Sequence, residues 1–241
     1  MKKIGFIGAY DKTDLILNIA KIMTVMGNRV LFIDSTIMQK AKYIVPVINP
    51  TISYITNFED IDVAVGFEDM NQIKQYLGTT SEDINYDVLL VDADTNKRIE
   101  KFDLLNADKR FFVTAFDLYS LKKGLEILAE LEKPMSLTKI LFAREALKED
   151  DDYLNYLSLA YKVVWNQERI YFPLENGDMS VLFENQRVAK IKFRKLSAQY
   201  KDSLVFMVFE SLNTSESSVR RAMNLYAKNV ILASGGVGAL F

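Results

Sequence analysis

The residues best suited to chemistry lie in a short loop near the start of the chain, Gly8-Ala9-Tyr10-Asp11-Lys12-Thr13. An apolar strand, predicted over Lys3–Ile7, leads into this loop, and a helix predicted over Thr13–Met26 follows it. A lysine and a hydroxyl at the N-terminus of a helix can bind a phosphate and its magnesium ion. Only one glycine is present, however, so few loop amides can approach a phosphate closely.

The residues alone leave two interpretations of this loop open. In the first, Gly8, Asp11, Lys12 and Thr13 bind the phosphates of ATP or ADP. In the second, Asp11 caps an ordinary helix start and the Lys12 ammonium lies in solvent.

Two aspartates extend the candidate site from neighbouring strands. Asp34 follows the strand predicted over Arg29–Ile33, and Asp92 follows the strand predicted over Val88–Val91. The carboxyl ends of parallel strands meet at one edge of a sheet, where ligands commonly bind. Asp34, Asp92 and the Thr13 hydroxyl are therefore the candidate magnesium ligands. The competing interpretation is that acidic residues often end parallel strands without binding a metal.

The composition excludes several classes of chemistry. The chain has no cysteine and no histidine, which excludes disulfides, thiolate nucleophiles, Ser-His-Asp catalysis and metal sites built on either residue. Its formal net charge of −2 gives no overall electrostatic reason to expect nucleic-acid binding. Carboxylate, lysine, hydroxyl and magnesium chemistry remain. Because the N-terminus lacks the pattern of a signal peptide and no long apolar span occurs, we expect a cytoplasmic protein.

The elements that must position these residues alternate between strand and helix, which predicts an α/β fold with a mostly parallel sheet covered by helices on both faces. A hairpin near residues 51–67 interrupts the alternation, and we expect one domain over residues 1–241. Further strands are predicted over Phe111–Thr114, Lys139–Phe142 and Ile170–Phe172. Further helices are predicted over Met70–Leu77, Leu118–Leu131, Asp151–Ala160, Met179–Asn185, Ala189–Phe209 and Ser217–Lys228.

Two motifs resemble the ParA/MinD family of P-loop ATPases. The family's N-terminal sequence typically reads K-G-G-x-G-K-T-T, followed by N-L-A and then by G-x-x-V-L-x-I-D. In this chain Lys12-Thr13 matches the end of the first motif, Asn18-Ile19-Ala20 matches the second, and Gly27 to Asp34 matches the third. The spacing between the three matches is that of the family. The segment Tyr86–Asp92 resembles the family's Walker B strand. The resemblance covers most of the chain in architecture and is specific over residues 1–34 and 86–95. It implies a P-loop fold, ATP with magnesium as ligand, and dimerisation through the nucleotide face.

The departures from the family pattern concentrate in the loop. Aligned on Lys12, the family's signature lysine falls on Ile7 and three of its glycines fall on Phe6, Ala9 and Asp11, so only Gly8 survives. Thr36 takes the position of the acid that the family associates with the attacking water. The Asp11 carboxylate would repel a triphosphate by roughly 1 kcal/mol in water and by several in a drier site. We therefore expect nucleotide binding to be weak or absent.

The first functional hypothesis is a non-hydrolysing, pseudo-ATPase relative of this family. It would serve as a regulatory or scaffolding subunit of a secretion, pilus, division or partition machine, and would reach a membrane only through a partner. The alternatives are an active ATP-dependent switch and an interaction module with no nucleotide role. Expected partners are other proteins of the assembly and a second copy of the chain.

Three further segments are candidates for partner contacts. Residues 145–152 are acidic and are interpreted as a solvated helix start, and residues 187–201 are basic and are interpreted as one face of a long helix. The tail from Val230 to Phe241 is apolar and rich in glycine. It lacks the basic amphipathic pattern of a membrane-binding helix, so we expect it to dock on protein.

Overall fold

The computed structural model describes residues 1–47, 52–79, 84–145, 147–174 and 176–235. Within these residues, eight strands form one sheet in the order β3-β4-β2-β5-β1-β6-β7-β8. The strands are β1 (Lys2–Ile7), β2 (Val30–Asp34), β3 (Tyr54–Phe58), β4 (Ile61–Val65), β5 (Val88–Ala93), β6 (Lys109–Ala115), β7 (Met135–Ala143) and β8 (Val163–Pro173). All neighbouring strands are parallel except β3 and β4. The predicted mostly parallel α/β sheet is confirmed.

Helices cover both faces of this sheet. They are α1 (Thr13–Val25), α2 (Ala41–Ile44), α3 (Met70–Tyr76), α4 (Asn96–Lys101), α5 (Leu118–Ala129), α6 (Lys148–Leu157), α7 (Asn176–Arg187), α8 (Ala198–Leu212) and α9 (Glu216–Gly235), with a short 3-10 turn at Leu104–Asn106. Helices α1, α8 and α9 pack on one face, where Ile4 and Phe6 of β1 are buried. Helices α4 and α5 pack on the other, where Ile7 is buried. Successive strand residues therefore enter opposite cores, as expected of a doubly covered sheet.

The predicted hairpin is confirmed as β3 and β4, an antiparallel pair at the edge of the sheet. Glu59 and Asp60 form the turn, with φ of 52° and 66°, as a tight two-residue hairpin turn requires. The buried ammonium of Lys21 on α1 stabilises this turn by donating to the Glu59 carbonyl at 2.7 Å and to Asp60 Oδ2 at 2.9 Å. Thr51, the first residue of the predicted hairpin, lies outside the described residues.

The long helix predicted over Ala189–Phe209 is wrong in its first half. Ala189 has φ of 48°, and the chain is not helical again until Ala198. Ser197 begins α8 by accepting a hydrogen bond from Tyr200 N, while Asp178 Oδ1 accepts from Ser197 N at 2.6 Å. Phe193 and Leu196 before Ser197 and Tyr200 after it are buried at three- and four-residue spacing, which resembles a helix although the backbone before Ser197 is irregular.

Two other expectations concern the helices near the charged segments. The helix predicted over Asp151–Ala160 lies over Lys148–Leu157, so its start is earlier than expected. Helix α9 continues to Gly235, and the remaining residues of the apolar tail lie outside the described part of the chain. No helix among the described residues is both long and apolar enough to cross a membrane.

Candidate functional site

The candidate loop joins β1 to α1 and packs closely on β6. Gly8 has φ of +140°, a conformation that L side chains rarely adopt, and a Cβ atom there would lie 2.2 Å from the Val113 carbonyl oxygen. Its N–H donates to the Ala93 carbonyl at 3.2 Å. The glycine that the loop retains is thus needed for packing between strands, whether or not a phosphate binds.

The Lys12 side chain is folded back into the protein. Its ammonium donates to the carbonyl oxygens of Gly8 at 2.7 Å and Tyr10 at 3.0 Å, and it lies 2.9 Å from Asp92 Oδ1. The contact with Asp92 is an ion pair and not a well-directed hydrogen bond. Lys12 is 2% exposed, so the interpretation that placed its ammonium in solvent is wrong. Each N–H of the ammonium has an oxygen of the protein within contact distance.

The Asp11 carboxylate occupies the N-terminus of α1. Asp11 Oδ1 accepts a hydrogen bond from the backbone N–H of Thr13 at 3.1 Å, and Oδ2 pairs with the ammonium of Lys40. Partial burial opposes ionisation, but the Lys40 and Thr13 contacts outweigh it and lower the pKa of Asp11. A negative charge at a helix N-terminus is favourable, and here the chain supplies that charge itself.

Asp34 is buried and its carboxylate organises the segment after β2. Oδ1 accepts from the backbone N–H of Thr36 at 3.1 Å and from its hydroxyl at 2.6 Å, and Oδ2 accepts from Ala41 N at 2.9 Å at the start of α2. Burial nevertheless raises the pKa of Asp34 above its usual range. Both oxygens therefore already stabilise the protein's own backbone.

Asp92 and Asp94 lie at the end of β5 beside the loop. Asp92 pairs in register with Asp34 across the sheet. Burial raises the pKa of Asp92 to about 7, although the Lys12 ammonium acts in the opposite direction. Asp94 Oδ2 accepts from the backbone N–H of Ile37 at 2.9 Å, and among the described residues its buried Oδ1 has no hydrogen-bond donor.

Tyr10 divides the surface above the sheet into two cavities. Its ring stacks on Phe142 of β7 at 4.6 Å between centroids, and Phe142 stacks on Phe172 of β8 at 5.1 Å. One cavity, of about 220 Å³, lies over the loop and is lined by Lys12 and Asp92. The other, of about 530 Å³, lies over the ends of β6, β7 and β8, and Tyr10 lines both.

Burial raises the pKa of the Tyr10 hydroxyl to about 12, so the side chain stays neutral at physiological pH.

A magnesium nucleotide does not fit the side chains as they are arranged. Small-molecule sites usually enclose roughly 300–1,000 Å³, and the cavity over the loop measures about 220 Å³. Carboxylates of Asp11, Asp92 and Asp94 outnumber the ammonium groups of Lys12 and Lys40 on its walls. Among the described residues, no cluster of three or more Asp, Glu, His or Cys could hold a metal ion. Of the predicted magnesium ligands Thr13, Asp34 and Asp92, Asp34 accepts hydrogen bonds from Thr36 and Ala41, and Asp92 forms an ion pair with Lys12.

Sequence reasoning missed two residues that shape the site, Lys40 and Asp14, and the stacking of a third, Tyr10. Lys40 pairs with Asp11 from a loop that has no recognisable motif. Tyr10 occupies a position that varies in the family pattern, so its stacking could not be foreseen. Asp14 accepts from Gln186 Nε2 at 2.7 Å, and burial raises its pKa to about 6. The sequence showed that Asp14 is an acidic residue in the first turn of a predicted helix. That pattern indicates where a helix begins, but it does not predict the burial of the carboxylate or its contact with Gln186.

Comparison with known proteins gives matches at the level of structure alone. No protein-family model matches the sequence, and no curated protein matches it either. Solved structures do match. A McdA variant from Cyanothece in complex with ATP superposes with a TM-score of 0.57 and 12% identity, over 89% of this chain and 97% of that one. This chain has the fold of the ParA and MinD ATPases.

Two further matches support the same fold. The MinC:MinD cell division complex of Aquifex aeolicus gives a TM-score of 0.53 at 16% identity, covering 93% of this chain and 96% of that one. A ParA family ATPase from Chlorobium tepidum gives a TM-score of 0.51 at 13% identity, covering 93% of this chain and 98% of that one. The ParA/MinD fold extends over nearly the whole chain, in agreement with the resemblance of the two motifs. Identities this low establish the fold and not the activity.

Proposed function

We propose that this chain is a non-hydrolysing relative of the ParA and MinD ATPases that serves as a regulatory or scaffolding subunit of a larger cellular machine. The machine would be a secretion, pilus, division or partition assembly. The observation that carries the proposal is the position of the Lys12 ammonium, which is buried against Asp92 and two loop carbonyls.

Phosphoryl transfer depends on positioning and on cations that stabilise the charge on the phosphates. Here Lys12 neutralises Asp92, and Lys40 neutralises Asp11. The family's signature lysine position holds Ile7, which is fully buried in the core. No loop cation is therefore available for a phosphate unless an existing ion pair breaks. The Asp11 carboxylate beside the same helix N-terminus adds repulsion.

Protein partners are the expected ligands of such a subunit. The MinC:MinD complex is a case in which a protein with this fold assembles with a different protein. We extend that behaviour to this chain, with a homodimer as a further form. We place the protein in the cytoplasm and assign any membrane association to a partner.

Calorimetric titration of the wild-type chain with MgATP and with MgADP tests the proposal. We expect no binding tighter than about 1 mM, and no phosphate release in a steady-state assay. The Asp11→Gly variant removes the carboxylate, so any residual affinity should increase in it. Micromolar binding by the wild type that is lost in a folded Lys12→Ala variant would contradict the proposal.

An ATP-dependent switch is the second candidate function. Two observations favour it: the Lys12-Thr13 pair is retained before α1, and one structure with this fold was determined as an ATP complex. On this candidate, nucleotide would pull Lys12 away from Asp92 and displace Tyr10 from Phe142. The same titration separates the two functions, because only a switch would bind nucleotide at micromolar concentrations. An interaction module with no nucleotide role would also show no nucleotide binding in this titration. The titration therefore does not separate it from a pseudo-ATPase, and both would act through contacts with other proteins.

A further inference from the structure

A groove of about 400 Å³ runs between α8 and α9, away from the loop described above. Residues Ala198, Lys201 and Val205 of α8 form one wall, and Arg220, Met223 and Ala227 of α9 form the other. On each helix these residues recur at three- and four-residue spacings, so each wall is one face of a helix. Two such helix faces side by side form a groove into which the side chains of a third helix can pack.

The floor of the groove is apolar. Phe193, from the irregular segment before α8, is 3% exposed, Val205 is 1% exposed and Met223 is 6% exposed. Ala198 and Ala227 provide small side chains at the walls, which allow another backbone to approach closely. Because the floor side chains are almost fully buried, the accessible apolar surface of the groove comes mainly from Ala198, Ala227 and the aliphatic stems of Lys201 and Arg220, and a bound helix would place its apolar residues against these.

The rim of the groove is positively charged. Arg194 is exposed and Lys201 is partly exposed, and neither forms an ion pair with a carboxylate in the described part of the chain. Arg220 of α9 pairs with Asp202 of α8 at 2.6 Å and also approaches Glu216 at 3.6 Å, so Arg194 and Lys201 carry the uncompensated positive charge. Because the whole chain carries a formal charge of −2, this positive charge is local to the groove.

We propose that the groove between α8 and α9 binds an amphipathic helix of a partner protein that has apolar residues on one stripe and acidic residues beside it. The inference names the contact surface of the scaffolding role proposed above and rests on that role. A nucleic acid would use the basic rim but would leave the apolar floor without a partner. A membrane would need a convex apolar face, whereas this surface is concave.

Fluorescence anisotropy with two labelled synthetic peptides tests the inference on the intact chain. Both peptides have about 14 residues, or roughly four helical turns, with leucine at three- and four-residue spacing. One carries glutamate beside the leucine stripe and the other carries lysine at the same positions. We expect the acidic peptide to bind at least about tenfold more tightly, with an affinity that falls as salt increases.

Three variants locate the binding site. The double variant Arg194→Glu/Lys201→Glu should weaken binding of the acidic peptide by about tenfold or more, since it reverses the rim charge. Ala227→Trp should weaken it by a similar factor, of about ten, by filling the groove without changing its charge. The double variant Lys122→Glu/Lys133→Glu, at two exposed positions outside the groove, is the matched charge-reversal control and should bind as the wild type does. Circular dichroism checks that each variant is folded. If Ala227→Trp does not fold, the double variant Arg194→Glu/Lys201→Glu still tests the inference.

Several results would overturn the inference. Absence of binding, equal binding of the two peptides, or an unchanged affinity in the double variant would each do so. Tighter binding of a DNA duplex or of phosphatidylglycerol vesicles, weakened by the same double variant, would replace the protein partner with that ligand. The nucleotide titration does not involve these residues, so a failure here is distinguishable from a failure of the pseudo-ATPase proposal.

Discussion

The ammonium nitrogen of Lys12 lies 2.9 Å from Asp92 Oδ1, and each side chain is 2% exposed. Lys12 lies in the loop between β1 and α1, and Asp92 lies near the end of β5, the parallel neighbour of β1, so the pair joins the loop to the centre of the sheet. Removing one partner of a buried pair leaves an uncompensated charge, which typically costs about 3–5 kcal/mol. We therefore expect the Lys12–Asp92 pair to contribute to the stability of the fold.

The Lys12→Met variant should therefore lower the free energy of unfolding by about 3–5 kcal/mol, measured by urea denaturation at about pH 9, where the Asp92 carboxylate of the wild type, with its pKa of about 7, is ionised. The double variant Lys12→Met/Asp92→Asn should recover at least half of that loss, because it removes both charges. Lys40→Met breaks the partly exposed pair with Asp11 and is the control, with an expected loss of about 1 kcal/mol or less. Equal losses for Lys12→Met and Lys40→Met would argue against a structural role for the buried pair.

Gly8 is expected to be essential for folding, independently of any ligand. In Gly8→Ala the new Cβ would clash with the Val113 carbonyl and the backbone would be strained, with an expected loss of about 3 kcal/mol or more. Gly27→Ala is the matched control, since its φ is +93° but nothing lies within 4 Å of its added Cβ. That variant should lose only about 1 kcal/mol. Thermal unfolding of both variants separates the effect of the clash with β6 from the effect of the strained backbone conformation. If the two variants lose similar amounts of stability, backbone strain alone is responsible.

Asp14 should make stability depend on pH. Burial raises its pKa to about 6 in the folded chain, against about 3.9 in an unfolded chain. The folded chain therefore binds more protons between these values, and the free energy of unfolding falls as pH rises through this range.

The Asp14→Asn variant removes this titration and can still accept from Gln186. We expect it to match the wild type near pH 4 and to be more stable by on the order of 2 kcal/mol at pH 7. Urea denaturation at both pH values measures the difference. A difference that is the same at pH 4 and pH 7 would show that Asp14 does not titrate in this way.

Much of the fold could be predicted because it depends on local patterns. The alternation of short apolar runs with amphipathic segments gave the parallel sheet, and the Asn57–Asp60 region signalled the hairpin. The start of α8 could not be placed by periodicity, because Phe193, Leu196 and Tyr200 are buried at three- and four-residue spacing, as in a helix, although the segment before Ser197 is irregular. Ser197, a common helix-capping residue, was the signal that could have corrected this boundary.

The candidate site was only partly predictable, since its residues meet across the sheet. Lys12 and Asp92 were both identified, but their pairing depends on the adjacency of β1 and β5, which are distant in sequence. The Tyr10 stack depends likewise on the position of Phe142 at the end of β7. Sequence reasoning could name the residues of the loop, while burial and neighbours decide whether each one faces a ligand or the protein.

The acidic segment 145–152 contains one residue with a structural role that its neighbours lack. Asp151 is 4% exposed and its Oδ1 lies 2.5 Å from the ammonium of Lys139 on β7, while Oδ2 pairs with Arg169 on β8. The interpretation of a solvated helix start therefore fails at this position. The carboxylate connects α6 to two strands and neutralises a lysine that is itself 4% exposed.

Replacing Asp151 with alanine should lower the free energy of unfolding by about 3–5 kcal/mol, because the Lys139 charge would remain buried without a counterion. Asp152→Ala, at the exposed position next to it, is the control and should cost about 0.5 kcal/mol or less. Adding Lys139→Met to Asp151→Ala should restore part of the loss, since the buried charge is then gone. Urea denaturation of the three variants and the wild type measures these differences. If Asp151→Ala and Asp152→Ala cost the same, the segment is a uniformly solvated surface and the contact with Lys139 contributes nothing to stability.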